Sequence, residues 1–310
     1  AAVATAAAAT DRPIIGVLTQ PYGAGGAKNA SYVAASYVKF VEAGGARAAV
    51  VPHAASDDVH RRLFDGLNGL LLPGGDSDIR LGTPLRRAAN NFVRWSRAAA
   101  AAHDDVFPVV GHCMGFELLL SVVANSDDVL SRFDAENLTL PLTFNAQRAA
   151  RSALFGPAAA ARAVQVLSRE NVTLNNHVQG VTPHVLASTP PLAAMFGEPL
   201  TTNVDRKGAT FVSTVEAVDT PWLYAFQYHP EKNAYEWRPD EVISHSPDAV
   251  EAMAYLARHM VSFARRSTHR FASWPDERRS LFYNYAPRFS GYDEHASFEQ
   301  VYVFDDSSWS

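Results

Sequence analysis

The 310-residue chain contains a single cysteine, Cys113, so an intrachain disulfide is excluded. It also lacks a run of about 18 apolar residues, the minimum for a membrane-spanning helix, and we expect no membrane association. Hydrophobic residues nevertheless make up 47% of the chain, which is enough to build a large core and argues against disorder. The sequence therefore indicates a globular protein whose one thiol is free.

Basic blocks are also absent from the sequence. The formal net charge is −5, and nothing in the chain offers the cluster of cations that phosphate groups would need. We therefore predict no nucleic-acid partner. Cysteine, histidine and carboxylate residues at the spacings of a metal site are missing too, so we predict neither a metal nor a cofactor.

No repeat, linker or change in composition divides the chain. We expect a flexible N-terminal segment at residues 1–11, left after processing, and one domain over residues 12–310. Three Asn-x-Ser/Thr sequons begin at Asn29, Asn137 and Asn171, and they suggest passage through a glycosylating pathway.

Short apolar segments alternate with amphipathic ones along the chain. Strands are predicted at residues 13–19, 46–52, 69–72, 106–110, 138–144, 210–216 and 223–228. Helices are predicted at residues 31–43, 59–64, 86–102, 116–124 and 247–265. This alternation favours an α/β fold with a central, mostly parallel sheet covered on both faces. Functional loops are then expected at the carboxyl ends of the strands.

The most informative stretch is Gly111-His112-Cys113-Met114-Gly115. A buried strand runs into Gly-x-Cys-x-Gly and continues directly as a helix, which is the pattern of a nucleophile elbow with sulfur as the nucleophile. The helix dipole stabilises a thiolate at this position, and the free N–H of Met114 can face a developing oxyanion. A second donor is expected from the Gly74-Gly75 loop.

A histidine that could serve as the base follows the predicted strand 223–228. His229 and Glu231 are two residues apart, so in an extended chain both side chains point to the same side, and the carboxylate can orient the imidazole. His177 is a second candidate, in a predicted loop at the rim of the site. His112 neighbours the nucleophile, but we expect it to support the site from behind.

These motifs resemble the class I glutamine amidotransferase superfamily and, within it, the γ-glutamyl hydrolase family (peptidase family C26). The resemblance covers residues 12–305. It is carried by the segments Tyr32-Val33-Ala34-Ala35-Ser36-Tyr37, Leu72-Pro73-Gly74-Gly75, Cys113-Met114-Gly115-Phe116-Glu117 and His229-Pro230-Glu231-Lys232-Asn233.

The resemblance implies a flavodoxin-like three-layer fold, a homodimer, and action in a lysosome, a vacuole or the extracellular space. It implies hydrolysis of γ-glutamyl amide bonds in folate and antifolate poly-γ-glutamates through a thioester. The implied catalytic residues are Cys113 as nucleophile, His229 as proton donor and acceptor, and Glu231 as its orienting group. The implied substrate-binding residues are Tyr32, Gly74, Gly75, Met114 and His177.

Two other functions remain open at this point. A glutaminase subunit would release ammonia from glutamine for a synthase partner, and the sequons and the missing synthase domain argue against it. A binding protein without catalysis would not need Cys113, His229 and Glu231 together. For the carboxylates of the substrate, Lys39 and Arg80 are the candidate cations.

Overall fold

The computed structural model describes residues 10–22, 30–103, 105–291 and 297–309. Most of the N-terminal segment predicted at residues 1–11 lies outside these ranges, as does Asn29 of the first sequon. Of the helices in the described ranges, none is both long enough and apolar enough to cross a membrane.

Strands and helices alternate through the first half of the chain, as the apolar pattern predicts. The strands are β1 (Ile14–Leu18), β2 (Gln20–Pro21), β3 (Ala30–Ala34), β4 (Arg47–Val51), β5 (Leu70–Leu72), β6 (Val109–His112), β7 (Ser131–Leu140), β8 (Thr143–Phe144), β9 (Thr173–Gly180), β10 (Thr201–Val204), β11 (Thr210–Glu216), β12 (Leu223–Phe226), β13 (Arg288–Phe289) and β14 (Gln300–Asp305). The helices are α1 (Ala35–Ala43), α2 (Asp57–Gly66), α3 (Pro84–His103), α4 (Met114–Ala124), α5 (Ala146–Arg151), α6 (Ala161–Arg169), α7 (Pro183–Ser188), α8 (Pro190–Phe196), α9 (Lys232–Tyr235), α10 (Pro247–Ala264) and α11 (Trp274–Ser280).

The central sheet has the strand order β4-β1-β5-β6-β12-β11-β10-β8. The first five of these strands are parallel, and the last three continue the sheet in antiparallel pairs. Numbered along the chain, the parallel strands have the order 2-1-3-4-5, which is the flavodoxin-like arrangement. The predicted fold class is therefore confirmed.

Helices cover the sheet in two groups. Helices α1 and α6 both contact α10, while α2, α3, α4 and α8 form a second contacting series. Between these layers the parallel strands are almost entirely buried, and one apolar cluster extends from Ile14 to Phe304. Strands buried on both faces account for the continuous apolar runs in the sequence.

Two smaller antiparallel sheets depart from the predicted elements. Residues 31–34 belong to strand β3, not to the predicted helix, because they pair with β14 near the chain's C-terminal end and with β2. The strand predicted at 138–144 is also wrong as a single element. It breaks after Leu140, where β7 leaves for a two-stranded sheet with β9 and β8 joins the central sheet.

Helix α4 packs so closely on β5 that position 115 has no room for a side chain. A Cβ atom on Gly115 would lie 2.0 Å from the carbonyl oxygen of Leu72. We expect Gly115→Ala to reduce the free energy of unfolding by about 1–3 kcal/mol, because backbone must move to relieve the clash. Urea unfolding measures this loss.

Gly180→Ala is the matched control for that substitution, because a Cβ there meets its nearest atom at 3.1 Å. We expect the control to lose less than about 1 kcal/mol. Equal stabilities of wild type and Gly115→Ala would contradict the close packing of α4 on β5.

Candidate active site

Cys113 occupies the turn between strand β6 and helix α4. Its backbone angles are φ 50° and ψ −112°, a strained conformation for a residue with a side chain. The turn needs glycine nearby, because a Cβ on Gly111 would lie 2.4 Å from the carbonyl oxygen of Gly115. The expected elbow is therefore present, and it presents a free thiol at a helix N-terminus.

His229 reaches this thiol from the end of the adjacent strand, β12. That strand stops at Phe226, so residues 227–231 form a turn and not the extended chain that we expected. The imidazole nevertheless contacts both predicted partners. It lies beside Cys113, whose charge acts on it, and its Nδ1 donates to Glu231 Oε1 at 2.6 Å.

Glu231 is fully buried and accepts a second hydrogen bond on its other oxygen. His112 Nδ1 donates to Glu231 Oε2 at 3.0 Å, so one carboxylate binds two imidazoles. His112 thus lies behind the site, as predicted, and it links the strand that carries the nucleophile to the group that orients the base.

The charges of this cluster stabilise one another. Burial lowers the pKa of His229, but the Cys113 thiolate and the Glu231 carboxylate outweigh burial and raise that pKa to about 10. For Glu231, burial favours the neutral acid, but His229 and His112 hold its pKa well below the usual range. The cluster is therefore suited to a thiolate–imidazolium pair beside a carboxylate.

Two backbone N–H groups are placed to bind an oxyanion. The N–H of Met114 begins helix α4, and within the described part of the chain it has no acceptor. In the predicted Gly74-Gly75 loop, only the Gly75 N–H is free to donate to an oxyanion, because the Gly74 N–H donates to the Tyr37 hydroxyl at 2.8 Å. Gln20 Nε2 holds the same loop through the Gly74 carbonyl at 2.7 Å.

A cavity of about 360 Å³ opens above the thiol. Most of the predicted residues line it, namely Tyr32, Gly75, Cys113, Met114, His177 and His229. Gly74 lies just behind the wall, since a Cβ there would lie 2.9 Å from the His229 ring and 3.0 Å from Cys113 Cβ. Glu231 supports His229 from within the core.

His177 lies in strand β9 and not in a loop, which corrects the prediction. It pairs with Ala135 of β7 in a sheet that the local sequence did not indicate. Its Nδ1 donates to the Gln179 carbonyl at 2.6 Å, and burial lowers its pKa to about 4. His177 is therefore a neutral imidazole in the cavity wall, and its Nε2 is buried and without a partner among the described residues.

Lys39 and Arg80, the candidate cations, do not line the cavity. Lys39 Nζ donates to Gln300 Oε1 at 2.6 Å, and Arg80 pairs with Asp78 at 2.6 Å. Other residues that line the cavity were not predicted from the sequence, namely Asp76, Ser77, Ile79, Glu117, Glu136, Asn176, Val178, Gln179, Lys232, Ser297 and Phe298. Glu117 alone had a local signal, because it follows the nucleophile by one helical turn.

The geometry agrees with comparisons to known proteins. Residues 13–126 match the family model Peptidase C26. The γ-glutamyl hydrolase of Mus musculus is 37% identical over 298 residues, which cover 96% of this chain and 90% of that protein. The γ-glutamyl hydrolase of Homo sapiens is 35% identical over 296 residues, covering 95% and 90%.

A third relative, γ-glutamyl hydrolase B of Dictyostelium discoideum, is 34% identical over 299 residues. The match covers 96% of this chain and 84% of that protein. These similarities extend over nearly the whole length of both chains, and the elbow, the base and its carboxylate all lie within them. The chain belongs to the γ-glutamyl hydrolase family, peptidase family C26.

Proposed function

We propose that this protein hydrolyses γ-glutamyl amide bonds with Cys113 as the nucleophile. The observation that carries the proposal is the strained cysteine at the start of α4, which shares one cavity with an imidazole that a buried carboxylate orients. A nucleophile, a base and an orienting group in contact are the requirements for acyl transfer through a covalent intermediate.

In the first step the Cys113 thiolate attacks the γ-carbonyl carbon of the substrate. The carbonyl oxygen becomes an oxyanion that accepts hydrogen bonds from the N–H groups of Met114 and Gly75. The His229 imidazolium then gives its proton to the leaving nitrogen. The C–N bond breaks, the amine leaves, and a γ-glutamyl thioester remains on Cys113.

In the second step water hydrolyses the thioester. Neutral His229 takes a proton from the water as its oxygen attacks the carbonyl carbon, and the C–S bond breaks to regenerate the thiolate–imidazolium pair.

Folate and antifolate poly-γ-glutamates are the substrates we propose, following the resemblance of the motifs. The relatives named above are γ-glutamyl hydrolases, and none of them is a glutaminase subunit. Comparing products from pteroyl pentaglutamate and from free glutamine separates the two activities.

A lysosomal, vacuolar or extracellular location is part of the same proposal. Asn171 of the third sequon is exposed and accessible for glycosylation. Asn137 of the second sequon is less accessible, because its Nδ2 donates to the Asp240 carbonyl and its Oδ1 accepts from Val242 N–H. The homodimer expected from the resemblance stays a prediction.

Cys113→Ala should abolish turnover of pteroyl pentaglutamate. We expect kcat to fall by about 10⁴-fold or more, because the thioester cannot form. Mass spectrometry of the product ladder measures the loss, and an unchanged thermal unfolding curve shows that the fold survives. Retention of a tenth of the wild-type kcat would reject the mechanism.

The thiolate–imidazolium pair predicts that Cys113 is reactive in acid. At about pH 5.5 we expect iodoacetamide to alkylate Cys113 at least about 10²-fold faster in wild type than in His229→Gln. A thiol without such a partner has a pKa near 8.5 and is only about 0.1% ionised there. The two rates should converge near pH 9. Equal rates in acid would refute the ion pair.

Glu231→Gln tests the orienting carboxylate. Because Glu231 raises the pKa of His229, the substitution should move the basic limb of the kcat/KM profile to lower pH. We also expect kcat to fall by about tenfold or more, as the imidazolium loses a charged partner. An unmoved basic limb would show that Glu231 does not control the protonation of His229.

A further inference from the structure

Gln20 is a buried residue of strand β2 whose side-chain amide lies against the Gly74-Gly75 loop. Its Nε2 donates to the Gly74 carbonyl at 2.7 Å, and its Oε1 accepts a hydrogen bond from the Ser77 hydroxyl at 3.1 Å. These partners belong to the segment that carries the Gly75 N–H, one of the two donors placed to bind the oxyanion. Gln20 itself takes no part in the reaction steps described above.

The peptide between Gly74 and Gly75 has little orientational preference of its own. Rotating it changes ψ of Gly74 and φ of Gly75, and glycine accepts a wide range of both angles. In a planar trans peptide, the Gly74 carbonyl and the Gly75 N–H point in opposite directions. One orientation therefore offers the N–H to an oxyanion in the cavity, whereas the reverse orientation would present a carbonyl oxygen that repels it.

The Gln20 amide selects the first of these orientations. Gly75 lines the catalytic cavity and Gln20 does not. Because Nε2 holds the Gly74 carbonyl on the Gln20 side, the Gly75 N–H points away from Gln20 and toward the cavity. The Tyr37 hydroxyl accepts from the Gly74 N–H at 2.8 Å and holds the start of the loop.

Close packing of these side chains explains why the loop contains two glycines. A Cβ atom on Gly75 would lie 2.0 Å from Gln20 Oε1, and one on Gly74 would lie 2.6 Å from the Tyr37 hydroxyl. Gln20 and Tyr37 thus contact the loop backbone directly. The conformational freedom that glycine brings is removed by their hydrogen bonds.

Ser77 connects Gln20 to the other oxyanion donor. Its N–H donates to Met114 Sδ at 3.2 Å, while its hydroxyl donates to Gln20 Oε1. Met114 is also the first residue of helix α4 and supplies the second N–H. A short series of contacts through Ser77 and Gln20 therefore fixes the Gly75 N–H relative to the Met114 N–H.

We propose that Gln20 is a positioning residue for the oxyanion, because its amide holds the Gly74 carbonyl and so aims the Gly75 N–H at the carbonyl oxygen of the bond being cleaved. Both chemical steps pass through a tetrahedral oxyanion, so both depend on this orientation. The inference rests on the proposed function, because it concerns the reaction at that same site. It predicts that Gln20 affects binding of the transition state and not of the substrate.

Gln20→Met tests this role, since methionine has a similar length and shape but no N–H donor. Without the donor the Gly74 carbonyl is free to turn toward the cavity. We expect kcat for pteroyl pentaglutamate to fall by about 10²-fold or more. KM should stay within about threefold of wild type, because the substrate carbonyl bears no full negative charge before the attack. Steady-state kinetics at acidic pH measure both constants.

Two reagents separate the oxyanion from the thiolate. With an N-acylated glutamate γ-aldehyde, the Cys113 sulfur bonds to the aldehyde carbon, and the C=O electron pair moves onto the oxygen, which takes the place of the oxyanion. The Ki of this aldehyde should rise by about 10²-fold in Gln20→Met. Iodoacetamide loses iodide as the sulfur bonds to a saturated carbon, so no oxyanion forms. Its rate with Cys113 should stay within about twofold of wild type.

Thr19→Val is the matched control. Thr19 precedes Gln20 and is fully buried, but its hydroxyl forms a hydrogen bond with His53 Nδ1 at 3.0 Å instead of with the loop. This variant also loses a buried hydrogen bond, and it should keep the kcat and the aldehyde Ki of wild type. Equal losses of kcat in the two variants would overturn the inference. In Gln20→Met, an unchanged kcat or an alkylation rate that falls in parallel with kcat would also overturn it.

A second measurement does not depend on the folding of Gln20→Met. A crystal structure of wild type with the aldehyde bound should place its oxygen within hydrogen-bond distance of the Met114 and Gly75 N–H groups. The Gly74 carbonyl should still accept from Gln20 Nε2, and a carbonyl turned away from Gln20 in this complex would refute the role. If wild type cleaves no γ-glutamyl amide at any pH, the proposed function itself fails, whereas failure of the Gln20 role alone leaves wild type active.

Discussion

The carboxylate of Glu231 accepts hydrogen bonds from two imidazoles that belong to distant parts of the chain, His229 and His112. Removing a carboxylate from water costs several kcal/mol, and two charge-assisted hydrogen bonds offset that cost here. His112 is the last residue of β6, directly before Cys113, and His229 follows β12. One buried charge therefore fixes the nucleophile relative to its base.

The fold divides the cavity between two kinds of structure. The parallel strands β5, β6 and β12 end side by side, and the residues that follow them supply the loop donor, the thiol and the imidazole. The antiparallel additions form the remaining wall. Strand β3 contributes Tyr32, and the β7–β9 pair contributes Glu136 and His177. The doubly wound sheet thus holds the reacting groups, while the added strands shape the space around a ligand.

Few cations are available in this cavity, and this constrains how it can recognise an anion. Lys232 is saturated by Glu241, and the remaining attraction comes from backbone N–H groups, the dipole of α4 and neutral side chains. Recognition then depends on donors at fixed positions more than on net charge. Such a site discriminates by the geometry of its donors.

The sequence by itself determined the elbow with its thiol and the alternation of strands and helices, because turn sterics and apolar periodicity depend on neighbouring residues. The base and its carboxylate were identified by their place after a predicted strand and by the resemblance of the motifs. Only the tertiary structure decided features that depend on distant partners. Residues 31–34 are a strand because β14 pairs with them, and His177 lies in a strand because β7 does. The Tyr37 hydroxyl accepts a hydrogen bond from the Gly74 N–H, and Glu117 is buried beside Gln227. Pairing and burial are set by residues far apart in the chain, so no local pattern could reveal them.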